Sequence, residues 1–148
     1  MTIYDVFNRL YRINRAVVPL LWDTGFHSGG CLGDHICPIP DVYEDNFLRE
    51  RAETILGALG QASSELSYLA KPPSREHILE KLPGGRYGYH DDGGIRVFTC
   101  GDCLEAKLCD EHGKPRWSAS RIESDASGYF LMGFHSIPLS GLTVRERR

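Results

Sequence analysis

Apolar residues recur at alternating spacings of four and three between residues 41 and 70, which predicts a long helix. The stripe consists of Leu48, Ala52, Ile55, Leu59, Ala62, Leu66 and Leu69. A repeat near 3.5 residues places these side chains along one side of a helix, as in helices that pack lengthwise on a partner. The predicted helix spans about 30 residues, or about 45 Å at 1.5 Å per residue.

A second apolar stripe lies upstream and predicts the partner helix. Its members are Ile3, Val6, Leu10, Ile13, Val17 and Leu20. Thr2 and Asp5 form a capping-box pattern, and Pro19 is expected to kink or end this helix at about Val18. Asp41 is the expected cap of the second helix, which Pro72 and Pro73 end. Residues 1–72 are therefore predicted to form an antiparallel helical hairpin.

After Pro73 the pattern changes to short alternating segments separated by turns. Strands are predicted at 86–90, 95–99, 104–109, 116–123, 128–133 and 142–145. Turn signals such as Asp91-Asp92-Gly93-Gly94 join them every 8–12 residues, as in small closed sheets. The predicted fold class is α+β, with the helical hairpin followed at 73–148 by a small five- or six-stranded antiparallel β-barrel.

Charge is nearly balanced, which disfavours extended phosphate binding. The net charge is −3; residues 1–71 hold 6 basic and 9 acidic residues, and residues 72–148 hold 11 of each. We find no apolar run long enough to cross a bilayer and no secretion signal, so we expect no membrane association. The five cysteines are then expected to be reduced thiols in a cytoplasmic protein.

Two Cys/His groupings suggest a metal site. Cys100-x2-Cys103-x5-Cys109-x2-His112 has the spacing of a zinc knuckle, and the competing interpretation is a set of free thiols in turns and strands. The residues His27, Cys31, His35 and Cys37 crowd the loop between the helices, but their spacing matches no common zinc pattern. No cofactor is predicted, and zinc is the alternative that stays open.

Aromatic and arginine residues of the strand region form the candidate binding set. Most aromatic side chains of so small a unit must fill its core. Those left at the surface beside arginine could stack on bases or anchor a peptide. The candidates are Arg86, Tyr87, Arg96, Arg116, Trp117 and Arg121. The segment Arg145-Glu146-Arg147-Arg148 adds local basic character.

No motif commits the chain to catalysis. His90, Asp91 and Asp92 could serve as acid–base groups, but polar residues are also expected at a hairpin turn. The glycine pairs at 84–85 and 93–94 lead into no predicted helix, so they do not form a phosphate-binding loop. We therefore assign no catalytic residue.

The strand region resembles a family of small bacterial proteins. The similarity is carried by GRYGYHDDGG, FTCGDCLEAKL, RWSASRIESDASGYFLMG and LSGLTVR, including Gly101, Asp102, Glu105 and the Trp117 strand. The family is a domain of unknown function found in Firmicutes, often in mobile elements. The resemblance implies a helical hairpin joined to a small β-barrel, and it implies no activity.

Together these observations predict a non-enzymatic interaction module that binds a protein or nucleic acid. The resemblance extends this to a mobile-element or phage product that inhibits or regulates a host defence nuclease. The alternatives are a zinc-stabilised binding module and, least favoured, a small nuclease or hydrolase. The helical stripes also allow a homodimer.

Overall fold

The computed structural model describes all 148 residues and divides into two compact units, Met1–Ala70 and Lys71–Arg148. The first unit is a pair of helices, and the second consists of eight strands in two antiparallel sheets. The predicted α+β fold is confirmed. The strands form a curled five-stranded half-barrel and a separate three-stranded sheet.

Helix α1 spans Ile3–Asp23 and begins at the predicted cap. The Thr2 side chain accepts a hydrogen bond from the Asp5 backbone N–H, and the Asp5 carboxylate accepts one from Thr2 N–H at 2.7 Å. Pro19 lies inside the helix, which continues for another turn instead of ending at Val18. Only one backbone N–H is lost at proline, and the following residues resume the helical pattern.

Helix α2 spans Val42–Ala70, close to the predicted length. Asp41 Oδ1 accepts hydrogen bonds from the N–H groups of Tyr43 and Glu44 at 3.0 and 3.2 Å, which satisfies two of the free donors of the first turn. Glu53 accepts the Leu32 N–H at 3.0 Å, so α2 also anchors the loop that joins the helices.

The helices pack through a face rotated from the predicted stripes. Val17 and Leu21 of α1 and Leu56 of α2 are buried together, with Phe26, Leu32 and Leu59 against them. Ile55, on the predicted stripe, remains 60% exposed. Gly57 and Gly60 lie on the side of α2 that faces the loop and α1. A Cβ on Gly60 would lie 4.0 Å from Leu21, and one on Gly57 would lie 3.8 Å from Phe26.

The strands of the second unit agree with the predicted segments, with two additions. The bounds are β1 His77–Ile78, β2 Glu80–Lys81, β3 Tyr87–Asp91, β4 Gly94–Val97, β5 Cys103–Cys109, β6 Pro115–Asp125, β7 Gly128–Leu131 and β8 Thr143–Arg145. β1 and β2 were not predicted, because two residues are too few to show alternation. The half-barrel has the order β1-β8-β5-β6-β7, and the smaller sheet the order β2-β3-β4.

One apolar core lies between these strands. The buried residues are Leu79, Tyr89, Phe98, Leu104, Ala106, Leu108, Ile122, Leu131, Leu139, Leu142 and Val144. Leu104, Ala106 and Leu108 alternate along β5 and point into this core, so the residues between them face outward. This alternation positions the candidate site described below.

Adjacent residues of α2 test the observed helix packing. We expect Leu56→Asp to lower the free energy of unfolding of the hairpin by about 3 kcal/mol, because it buries an unpaired carboxylate. Ile55→Asp in dilute protein should change it by less than about 0.5 kcal/mol, because this side chain is exposed. Urea unfolding followed by circular dichroism at 222 nm measures both. The opposite order would contradict the observed register.

Candidate binding surface

The outward face of the half-barrel is defined by the register of β5 with its neighbours. Glu105 and Lys107 of β5 lie opposite Ala119 and Trp117 of β6, and Glu105 also lies opposite Arg145 of β8. Since paired residues point to the same side of a sheet, these side chains share one face. This face is opposite the apolar core.

Trp117 is the centre of this face. The Arg145 guanidinium carbon lies 4.1 Å from the centre of the Trp117 ring, and the Lys107 ammonium nitrogen lies 5.2 Å from it. Both cations are attracted to the ring electrons. A hollow of about 320 Å³ opens beside the ring, which we call the Trp117 hollow; it is lined by Lys107, Leu108, Cys109, Pro115, Arg116 and Trp117.

Glu105 lies beneath this face and holds two arginines. Its carboxylate accepts hydrogen bonds from Arg145 Nε and, at 2.6 Å, from Arg147 Nε. Burial favours a raised pKa for Glu105, but the hydrogen bonds from Arg147 and Arg145 outweigh it and leave the pKa below its ordinary value. The Glu105 charge is therefore retained, and it fixes the guanidinium that stacks on Trp117.

A second carboxylate, Glu146, joins the two sheets. Glu146 follows β8, and its Oε2 accepts a hydrogen bond from Tyr89 of β3 at 2.6 Å. Its Oε1 accepts one from Arg96 of β4 at 2.9 Å. Burial would raise the pKa of Glu146, but the hydrogen bonds from Arg96 and Tyr89 hold it below the ordinary value. Burial and the neighbouring Glu146 raise the pKa of Tyr89 to about 12.

His77 packs against this second cluster. Its ring stacks on Tyr89 with 3.7 Å between ring centres and an interplanar angle of 10°. The His77 Nε2 atom is buried and makes no hydrogen bond. The stacking packs one face of this buried ring but supplies no hydrogen-bond partner for Nε2.

The six candidate binding residues are not gathered at one place. Trp117 and Arg121 share the outward face of β6, whereas Arg116, the second residue of that strand, lies opposite Leu108 and lines the Trp117 hollow. Arg96 is committed to Glu146 and also lies 3.5 Å from Asp102.

Arg86 and Tyr87 lie in the region of the smaller sheet. Arg86 is exposed next to β3, and Tyr87 packs against the core. Neither residue lines the Trp117 hollow.

The Cys/His zinc candidates are not assembled. Cys103 and Cys109 stand at opposite ends of β5, about 20 Å apart at about 3.4 Å per residue, with Cys100 near one end and His112 near the other. All five cysteines are free and exposed, and no cluster of three or more potential ligands is present. Zinc coordination by Cys100, Cys103, Cys109 and His112 together is incompatible with this strand.

Several of the other ionisable candidates already have partners. Arg75 forms ion pairs with Asp91 and Asp92 at the β3–β4 turn. In the interhelical loop, His35 Nε2 lies 2.6 Å from the Asp23 carbonyl oxygen, and His27 stacks on Trp22. These contacts explain the residues structurally.

Glu105 and Glu146 were missed as organising residues. Their arginine partners lie about 40 and 50 positions away in the chain, so no local spacing relates them. The segment Arg145-Glu146-Arg147 was the available signal. Alternation on β8 and beyond sends its arginines to one side and Glu146 to the other.

Comparison with known protein families identifies the strand region only. Residues 77–146 match the model of a domain of unknown function, DUF5348. Both carboxylates and the Trp117 strand fall within the match. No curated protein and no solved structure matches the chain. Neither helix is long and apolar enough to span a membrane.

The carboxylate clusters predict acid sensitivity. Folded-state pKa values of Glu105 and Glu146 lie below the ordinary value of 4.5, so stability is fully present above that value and falls as pH drops below it. The urea midpoint of the sheet unit should therefore fall from pH 6 to pH 3. Glu146→Gln should reduce the fall in the urea midpoint between pH 6 and pH 3. Trp117 fluorescence in a Trp22→Phe background measures the urea midpoint. If the midpoint of Glu146→Gln fell by as much as that of the wild type, Glu146 would not be a source of the acid sensitivity.

Proposed function

We propose that this chain is a non-enzymatic interaction module whose sheet unit binds a partner protein through the Trp117 hollow. The observation that carries the proposal is a partly exposed tryptophan, flanked by two cations and bordering an open hollow. Tryptophan and arginine are the residue types that most often dominate binding energy at protein interfaces. Glu105 holds Arg145 in place, so part of the surface is ordered before binding.

The charge distribution favours a protein partner over a nucleic acid. Lys107 is paired with Glu76 at 2.6 Å, Arg121 with Glu123 at 2.6 Å, and Arg145 with Glu105. Binding that follows a phosphate backbone depends on cations that can neutralise phosphates, and these cations are already neutralised.

Arg116 supplies the remaining charge at the hollow. It is exposed, lines the hollow and makes no ion pair. The best-fitting ligand is a protein segment with an apolar side chain for Trp117 and a carboxylate for Arg116. One charge-assisted contact beside an apolar anchor suffices for such a ligand.

The pKa shifts do not suit Glu105, Glu146 or Tyr89 to general acid–base catalysis. A general acid or base works best with a pKa near the operating pH. Here the arginines lower the pKa values of Glu105 and Glu146, and burial raises that of Tyr89 to about 12. Each shift moves the pKa further from neutral pH, away from the range in which a general acid or base works best.

The resemblance noted from the sequence supports a narrower form of the proposal. In this form the chain is encoded by a mobile element or phage of Firmicutes, and its partner is a host defence nuclease that it inhibits or regulates. A cytoplasmic location belongs to the same proposal, because five free, exposed cysteines persist best in a reducing compartment.

Variants of the hollow test the proposal. We expect Trp117→Ala to weaken binding to the partner by about 30-fold or more, and Arg116→Glu by about 10-fold, because they remove the anchor and its charge. Affinity capture from a bacterial host lysate with quantitative mass spectrometry identifies the partner, and calorimetry gives its Kd. Phe130→Ala and Arg86→Glu are the matched controls, since neither residue lines the hollow.

Circular dichroism establishes that each variant is folded. Partner binding that is unchanged in both Trp117→Ala and Arg116→Glu would overturn the proposal. A salt-sensitive affinity for single-stranded DNA or RNA that Trp117→Ala abolishes would instead identify a nucleic-acid site.

A further inference from the structure

The apolar arc of each helix is wider than the contact within the hairpin. We letter the helix positions a to g, as in a coiled-coil heptad. The predicted stripes then occupy positions a and d, whereas the residues packed between α1 and α2 occupy positions a and e. The buried helix residues are Val17 and Leu66 at a and Leu21, Leu56 and Ser63 at e. The exposed d residues are Ile13, Leu20, Leu48, Ile55 and Ala62. An arc covering a, d and e is typical of a helix with two helical neighbours, as in a four-helix bundle.

The exposed d positions of the two helices face the same side of the hairpin. On each helix the d stripe precedes the buried e stripe by one residue, or about 100° of rotation. Because α1 and α2 are antiparallel, this common offset turns both d stripes toward one side. Ile13 of α1 is 59% exposed there and Ile55 of α2 is 60% exposed. The hairpin therefore presents an apolar side without a partner.

The charges beside the d stripe of α2 are self-complementary. Position g is occupied by Glu44, Arg51, Ala58 and Glu65, which are spaced seven residues apart and are all exposed. If a second α2 lies antiparallel with its centre at Ala58, Arg51 of each copy faces Glu65 of the other. Residues at g pair with g in antiparallel coiled coils, and a small residue at the centre lets the helices approach. Leu48 and Ile55 of each copy then pack against the C-terminal half of the d stripe on α2 of the other copy.

Helix α1 has a similar pattern, with Arg9, Ala16 and Asp23 at g. Leu21 lies beside Gly60, which places Ala16 about one heptad from Ala58 along the hairpin. A single two-fold axis can therefore pass through the midpoint of the α2 pair or of the α1 pair, but not of both. Helix α2 offers four d positions against three on α1, so it supplies the longer contact.

We propose that the exposed side of the hairpin binds a second copy of this chain, with the two α2 helices antiparallel about Ala58. The interface is isologous, so each charge pair occurs twice. Leu48 and Ile55 supply the apolar contact, and Arg51 and Glu65 fix direction and register. This inference concerns the helical unit and does not depend on the function proposed for the sheet unit.

An aspartate on the exposed stripe is the first test. Sedimentation velocity over a range of concentrations should show a dimer for the wild-type chain and a monomer with unchanged helical circular dichroism for Ile55→Asp. Tyr43→Asp is the matched control, because Tyr43 is 90% exposed on another side of α2, and it should remain dimeric. A wild-type monomer at every concentration would overturn the proposal.

Charge reversal tests the antiparallel register. Arg51→Glu and Glu65→Arg should each weaken dimerisation by about 10-fold or more, because two attractive pairs become two repulsive pairs. The double variant should recover the wild-type affinity, and an equimolar mixture of the two single variants should form a heterodimer. Single and double variants of equal affinity, or a dimer lost in Ile13→Asp and kept in Ile55→Asp, would overturn the α2 assignment.

Discussion

The sheet unit depends on two buried carboxylates held by arginines. Glu105 on β5 binds Arg145 and Arg147, which ties β8 to the middle of the half-barrel. Glu146 points the other way and binds Tyr89 and Arg96 of the smaller sheet. Removing one partner of such a pair leaves an uncompensated buried charge, which is strongly destabilising. The two clusters therefore link β8 and the residue after it to β5, β3 and β4, in a unit whose apolar core is small.

The same clusters connect the interior to the surface. Arg145 uses its Nε–H for Glu105 and its guanidinium plane for Trp117, so one side chain belongs to both the framework and the candidate binding surface. A planar guanidinium can do this, whereas a lysine ammonium would offer neither the fixed fork nor the stacking plane. The buried Glu105 thereby orders, through Arg145, the exposed face of the half-barrel.

Local patterns in the sequence predicted the elements well, and their long-range partners poorly. The stripes of α1 and α2 gave two helices of nearly correct length, but the position of Leu56 in the packed face was missed because the apolar arc was wide enough for several registers. The six predicted strands were found because glycine-rich turns separate them, whereas β1 and β2 were too short to show a period. The spacing of Cys100, Cys103, Cys109 and His112 suggested zinc because it ignored the extended strand between them.

The position of β8 within the half-barrel has a consequence for biosynthesis. This strand lies between β1 and β5 in space but follows all the other strands in the chain. During translation β1 has no neighbour in its sheet, and Glu105 lacks Arg145 and Arg147, until residues 143–147 leave the ribosome. Seven of the eight strands must therefore wait as an incomplete assembly with open edges, and vectorial folding of this unit can finish only when its latest-made strand is inserted.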